Sequence, residues 1–198
     1  VGSGDCVGTT QTAERLYRSH GPVGRVETRL RLGPGARVAW LPQELILFEG
    51  GALERRLDVE MAADAELVLL ETLVLGRAAM GERLSDVRLH DWREVRRGGV
   101  PVMVEAIRLG PEDLSAEGCA GLDGAVALAT LTCIAEDAED RLGRVRDALP
   151  SDVRCAASAW DGRLSARFMG GDAFALRKAV ARVAEVLTGA PLPRVWQI

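Results

Sequence analysis

Val38-Ala39-Trp40-Leu41-Pro42-Gln43-Glu44-Leu45-Ile46-Leu47-Phe48 joins two strand-like apolar runs through a proline, an amide and a carboxylate. Proline has no N–H to give to a ladder, so Pro42 suits an edge, a bulge or a strand start. A segment that only filled a core would have little use for Pro-Gln-Glu at its centre. Upstream, Arg25-Val26-Glu27-Thr28-Arg29-Leu30-Arg31-Leu32 alternates strictly between charged and less polar residues, the period of a half-buried strand. Gly33-Pro34-Gly35 then turns the chain. Downstream of the Gly50-Gly51 turn, Leu53, Leu57, Val59 and Met61 alternate with Glu54, Arg56, Asp58 and Glu60, and Arg55 breaks the apolar face. After a polar break at 62–65, Leu67 to Leu75 is a continuous apolar run with Glu71 inside it, the pattern of a strand buried on both faces. Arg88 to Arg96 and Val100 to Leu109 flank Arg97-Gly98-Gly99, a hairpin signal. Short strands at fairly regular spacing predict a β-rich stack or sandwich rather than βαβ units.

The last third changes character. Leu122 to Ile134 is apolar and reads either as a central strand or as a buried helix. Glu136 to Leu149 is rich in helix formers and stops at Pro150. Arg154 to Trp160 and Arg163 to Met169 flank Asp161-Gly162, a second hairpin. Asp172 can cap a helix from about Ala173 to Leu187, whose Leu176, Val180, Val183 and Leu187 fall at helical spacing. Thr188-Gly189 and Pro191 end that helix, and an extended tail is expected from Pro191 to Ile198. Without a repeat or a low-complexity linker, residues 1–198 read as one continuous domain.

Composition narrows the function classes. At 47% hydrophobic residues the chain can bury a real core, and at 4% aromatic that core must rest on Leu, Val and Ala. A net charge of −4 without a basic block argues against nucleic acid. Lys178 is the only lysine, and the arginine bias fits genome base composition better than it fits a selected pairing surface. No run approaches the ~18 apolar residues of a membrane span. The N-terminus shows no basic region leading into an apolar one, so secretion is not indicated. It opens on Val1-Gly2-Ser3-Gly4 without an initiator Met, and an upstream part is expected. Cys6, Cys119, Cys133 and Cys155 form no C-x-x-C and read as reduced thiols.

Candidates for chemistry are few. Gly2-Ser3-Gly4-Asp5-Cys6-Val7-Gly8 lacks the G-x-G-x-x-G spacing and reads as a flexible end. There is no Walker loop, no G-x-S-x-G elbow and no H-E-x-x-H. His20 sits in a turn and His90 in a strand, and surface positions account for both better than ligand roles do. Glu71 interrupts an apolar run, and a buried carboxylate needs a partner. An ion pair with an arginine is placed ahead of a role lining an internal channel. Glu44 is weighed the same way. Glu82 lies in Gly76-Arg77-Ala78-Ala79-Met80-Gly81-Glu82, a loop shaped by glycines at both ends, where function is favoured more.

Several of these segments together resemble the urease accessory protein D family. They are Thr9-Thr10-Gln11-Thr12-Ala13-Glu14-Arg15-Leu16-Tyr17-Arg18-Ser19, then Trp40-Leu41-Pro42-Gln43-Glu44 with Phe48, then Leu75-Gly76-Arg77 with Gly81-Glu82, and last Pro193-Arg194-Val195-Trp196. They stand in the family's order and span nearly the whole chain. The resemblance implies a mainly β fold, an irregular β-helix-like stack of strands with two α-helices in the C-terminal third. It implies a non-enzymatic cytoplasmic scaffold that binds the urease apoprotein and two other accessory proteins, F and the nickel-carrying GTPase G. Such a scaffold helps nickel into the urease active site alongside the lysine carbamylation chemistry. It holds no tight cofactor, with nickel only in transit, and meets neither nucleic acid nor membrane. Partner-binding or polar-passage roles then fall on Tyr17, Arg18, Gln43, Glu44, Glu71, Arg77 and Glu82. Thr10, Gln11, Trp40, Leu41, Pro42, Gly76, Gly81 and Trp196 are expected to shape the motifs, and no metal ligand is assigned.

Family members usually carry an upstream β-region with a Gly-Gly-rich, Asp-containing segment, so this chain is expected to lack an N-terminal β-region. Ala78 stands where the family loop often has proline. Two other readings stay open: a β-rich hydrolase or transferase using Glu44, Glu71 or Glu82 as acid/base, and a stand-alone nickel carrier. Sparse histidines and scattered cysteines weaken the second.

Overall fold

Glycine and small polar residues break the chain after each apolar run, and the resulting strands are shared between two facing sheets. The structure is a computed structural model that describes residues 4–77, 80–116, 118 and 121–197. Val1, Gly2 and Ser3 of the glycine-rich opening, Ala78 and Ala79 of the Gly76–Glu82 loop, Cys119 and Ile198 lie outside the described residues.

The strands are β1 (Gly4–Gly8), β2 (Glu14–Leu16), β3 (Gly24–Leu32), β4 (Ala36–Trp40), β5 (Leu45–Leu47) and β6 (Gly51–Met61). They continue with β7 (Glu66–Leu75), β8 (Val87–Arg97), β9 (Val100–Leu109), β10 (Ala127–Ile134), β11 (Arg154–Trp160) and β12 (Arg163–Gly170). The helices are α1 (Pro111–Ser115), α2 (Leu142–Ala148) and α3 (Ala173–Thr188). One sheet has the order β1-β4-β7-β10-β12-β11, with β5 also on β7 and β2 on β5; the other has the order β3-β6-β8-β9.

The first half of the chain is a coil of parallel strands. Strand β3 leads through a turn into β4, and β6 leads into β7, so the chain crosses from one sheet to the other at each of these turns; β5 follows β4 on the same sheet. Thr28 of β3 sits on Leu57 of β6, and Val38 of β4 on Leu67 of β7. The offset is the same in both sheets, 57−28=29 and 67−38=29. This is the mainly β, helix-like stack expected of the family. From β9 onward the pairing turns antiparallel: β9 on β8, β10 on β7, β12 on β10 and β11 on β12. Both predicted hairpins form, and Asp161 and Gly162 close the second with positive φ of 49° and 69°.

Three apolar clusters hold the fold. The largest lies between the outer face of the first sheet and helices α2 and α3, with Leu41, Leu70, Leu131, Phe168, Leu176, Val180 and Trp196 in it. The two others lie between the sheets, one around Leu57, Leu67, Leu69, Val95 and Met103, the other around Leu45, Leu53, Leu73, Leu89 and Leu109.

Some local expectations change. Residues Gly4–Gly8, read as a flexible end, form β1, because their backbone pairs with β4 along its whole length. The helix expected over Glu136 to Leu149 is shorter: 135–141 are turns, and α2 starts at Leu142. Leu122 to Ile134 resolves to a strand from Ala127, central between β7 and β12. The extended tail contains a 3-10 turn, Arg194–Trp196, that tucks Trp196 into the core. Short helix α1 was not expected.

Candidate functional site

The inward-facing positions of β6, β7 and β8 are apolar except in the middle. On β7, Leu67 and Leu69 enter one inter-sheet cluster, Leu73 and Leu75 enter the other, and Glu71 stands between them. On β6 the same place is held by Arg55, and on β8 by Asp91 and Arg93. Arg55 Nη2 reaches Glu71 Oε2 at 2.7 Å and Asp91 Oδ2 at 2.6 Å. Arg93 lies 3.3 Å from Asp91 and 3.5 Å from Glu105 on β9, and Arg167 on β12 meets Glu105 at 2.7 Å.

The result is a line of alternating charges, Glu71–Arg55–Asp91–Arg93–Glu105–Arg167, that divides the inter-sheet core in two. It opens at one end on a narrow cleft of about 30 Å³ lined by Thr10, Glu14, Trp40 and Pro42, and at the other end on the exposed Arg167. Asp91 and Arg93 are 0% and 2% exposed. Three carboxylates face three guanidinium groups, so the line is neutral as a whole. Burial pushes the Glu71 carboxyl up, and Arg55 and then Arg93 pull it back down. Asp91 Oδ1, Arg93 Nε and Ser165 Oγ are buried polar atoms without a hydrogen-bond partner. A buried group of this kind is costly in an apolar interior, so the line holds polar capacity that core packing alone does not explain.

A second group of motif residues knits the centre of the chain to its end. Glu44 Oε2 accepts from Arg177 Nη1 on α3 at 2.8 Å, and Arg177 Nη2 donates to the carbonyl of Val195 at 3.2 Å. The Arg177 guanidinium lies 4.4 Å over the Trp196 ring, whose Nε1–H donates to the carbonyl of Leu41 at 3.2 Å. The Gln43 backbone N–H donates to Thr10 Oγ1 at 2.9 Å, and the Gln43 side chain is buried with its amide nitrogen unpartnered. Leu41 is fully buried, Trp40 packs between the sheets and Gln11 is exposed.

The third group sits at the exposed end of β5 and β7. Arg77 Nε and Nη2 hold Glu82 at 2.8 and 3.1 Å, and Glu82 also accepts from the N–H of Arg77 and of Glu49. These bonds, that from the Arg77 side chain first, bring the Glu82 carboxyl down to about 2, so it stays ionised at neutral pH. Gly76 has φ +77°, and a Cβ there would lie 2.9 Å from the Glu82 carbonyl oxygen, so both conformation and space demand glycine. Gly81 is also left-handed, with φ +65°. The Arg77 guanidinium lies 4.6 Å over Phe48, and Tyr17 meets Phe48 edge-on at 5.0 Å. Tyr17 and Met80 are exposed, and the Arg18 side chain lies against Gly50.

The structure therefore brings Tyr17, Arg18, Arg77 and Glu82 to one surface, leaves Glu44 on a different one, and puts Glu71 inside. His20 and His90 are exposed and apart. Among the described residues no group of three or more His, Cys, Asp or Glu side chains could hold a metal ion. Asp91, Arg93, Glu105, Arg167 and Arg177 escaped the reading of the sequence. A signal for two of them was present: Val87, Leu89, Asp91, Arg93 and Val95 share one parity on β8, which places both charges inside.

A family model described as UreD urease accessory protein matches residues 3–197. The urease accessory protein UreD of Jannaschia sp. is 66% identical over 198 residues, 100% of this chain and 74% of that relative. The UreD of Dinoroseobacter shibae is 51% identical over 96% of this chain and 68% of its own length, and that of Cereibacter sphaeroides is 48% identical over 100% and 73%.

Proposed function

Because this chain belongs to the UreD urease accessory protein family, and so has a role in urease maturation, we propose that it is a non-enzymatic cytoplasmic scaffold. It binds the urease apoprotein, accessory protein F and the accessory GTPase G, and it helps nickel, as cargo, reach the urease active site. The observation that carries this reading is the line of charges from Glu71 to Arg167 through an otherwise apolar inter-sheet core. Its cleft end lies beside Thr10, Trp40 and Pro42, all in motif segments. Carboxylate oxygens suit a hard or borderline divalent cation in passage, and the arginines that now pair with them would have to give way. Tyr17, Arg77 and Met80, set over the buried Phe48 ring, offer exposed aromatic, apolar and guanidinium groups of the kind that anchor protein contacts.

Acid/base catalysis is supported less. Glu44, Glu71 and Glu82 fall in three separate groups, each on an arginine, rather than converging as a pair. The test is complementation of a strain deleted for this gene with the double variant Arg55→Met and Glu71→Leu, which keeps the core filled while removing two charges. We expect the variant to co-purify with the urease apoprotein but to restore little urease activity. Full activation by the variant would remove the passage. Failure of the unaltered protein to co-purify with the apoprotein would remove the scaffold.

A further inference from the structure

Phe174 is 56% exposed at the start of α3, on a helix whose Leu176, Val180, Val183 and Leu187 are buried and whose Val186 is half-buried. Its backbone N–H donates to the cap Asp172 at 2.7 Å, which accounts for the backbone but not for an aromatic ring in solvent. The ring forms a ridge between two hollows. One, of about 250 Å³, is walled by Val74, Val180 and Trp196, with Glu44 and Arg177 neutralising each other at 2.8 Å on its rim. The other, of about 280 Å³, carries two cations, Lys178 and Arg182, against the single carboxylate of Asp152.

Phe174, Lys178 and Arg182 stand four residues apart and so form one stripe along the helix. The Lys178 ammonium lies 4.3 Å over the Phe174 ring and holds it in place. Among the described residues neither Lys178 nor Arg182 has a carboxylate partner, whereas Arg55, Arg77, Arg96, Arg141 and Arg177 all do. An exposed aromatic ridge beside an apolar hollow, with unpaired charge at its edge, is the anatomy of an interface anchor. Each of the motif segments Trp40–Glu44 and Pro193–Trp196 gives the first hollow one lining residue, Glu44 and Trp196.

The geometry points to a docking groove for a segment of a partner protein. That segment places an aliphatic or aromatic side chain in the hollow beside Trp196 and a carboxylate against Lys178 and Arg182. This inference rests on the scaffold reading and gives the chemistry of one of its contacts. Phe174 is the anchor, and the two cations choose an acidic neighbour.

The test is binding of the full chain to purified urease apoprotein, and separately to each purified accessory protein, over a range of salt concentrations. Phe174→Ala and the pair Lys178→Glu with Arg182→Glu alter only exposed side chains, and circular dichroism checks their fold. We expect each to weaken one of these complexes by about tenfold or more, and the charge reversal to flatten its salt dependence. If the unaltered chain binds one of these proteins and both variants bind it equally well, the groove is overturned and the scaffold stands. If the unaltered chain binds none of them, the scaffold falls and the groove with it. A self-association abolished by Phe174→Ala, with no change in any complex, would assign the face to a second copy of this chain and overturn the partner segment.

Discussion

Arg55 shows what one side chain can decide. It holds two buried carboxylates at 2.6 and 2.7 Å, so removing it leaves two negative charges in an apolar interior with only Arg93 nearby. Taking one partner from a buried ion pair costs about 3–5 kcal/mol. Arg55→Ala is therefore expected to lower the unfolding free energy by that amount in urea denaturation, and the apolar pair Arg55→Met with Glu71→Leu to recover the part due to Glu71, because Asp91 then keeps only Arg93. Glu71 was readable in the sequence as a carboxylate in need of a partner, and Arg55 as a break in an apolar face. That the two breaks meet was not readable, because the pairing depends on strands of different sheets facing each other. Glu44 is a similar case: its partner Arg177 is 133 residues away.

Elements with strong local signals were the legible ones. α3 has its apolar residues at helical spacing, Asp172 before it and Gly189 after it in the left-handed conformation at φ 67°. Asp172 accepts from the N–H groups of Phe174 and Ala175, so Asp172→Ala is expected to cost about 1 kcal/mol and to lower the thermal midpoint without changing the helix content at low temperature. The hairpins β8–β9 and β11–β12 were equally legible, since Gly-Gly and Asp-Gly favour the left-handed turn. Strand β1 was not. It is too short and too rich in glycine to carry a pattern, and it exists because the free edge of β4 supplies its hydrogen bonds. The first turn expected of α2 was lost in the same way, to a run of turns after β10.

At the scale of the whole molecule, the C-terminal tail clasps the centre of the chain. Trp196 is 7% exposed, bonds the Leu41 carbonyl and stacks under Arg177, which in turn holds Glu44. Trp196→Ala opens a cavity between α3 and the first sheet and is expected to cost about 3–5 kcal/mol, read as a shift in the denaturant midpoint. Trp196→Phe, which keeps the packing and loses the hydrogen bond, should cost less. The sequence by itself determined the mainly β class, the two helices of the last third, the turn chemistry and the order of the family motifs. All of these are written in local periodicity or in short runs of residues. Only the tertiary structure decided how the strands stack, which charges meet between the sheets and which motif residues share a surface. The common offset of the stacked strands places side chains far apart in sequence at one level, and no local pattern records that level.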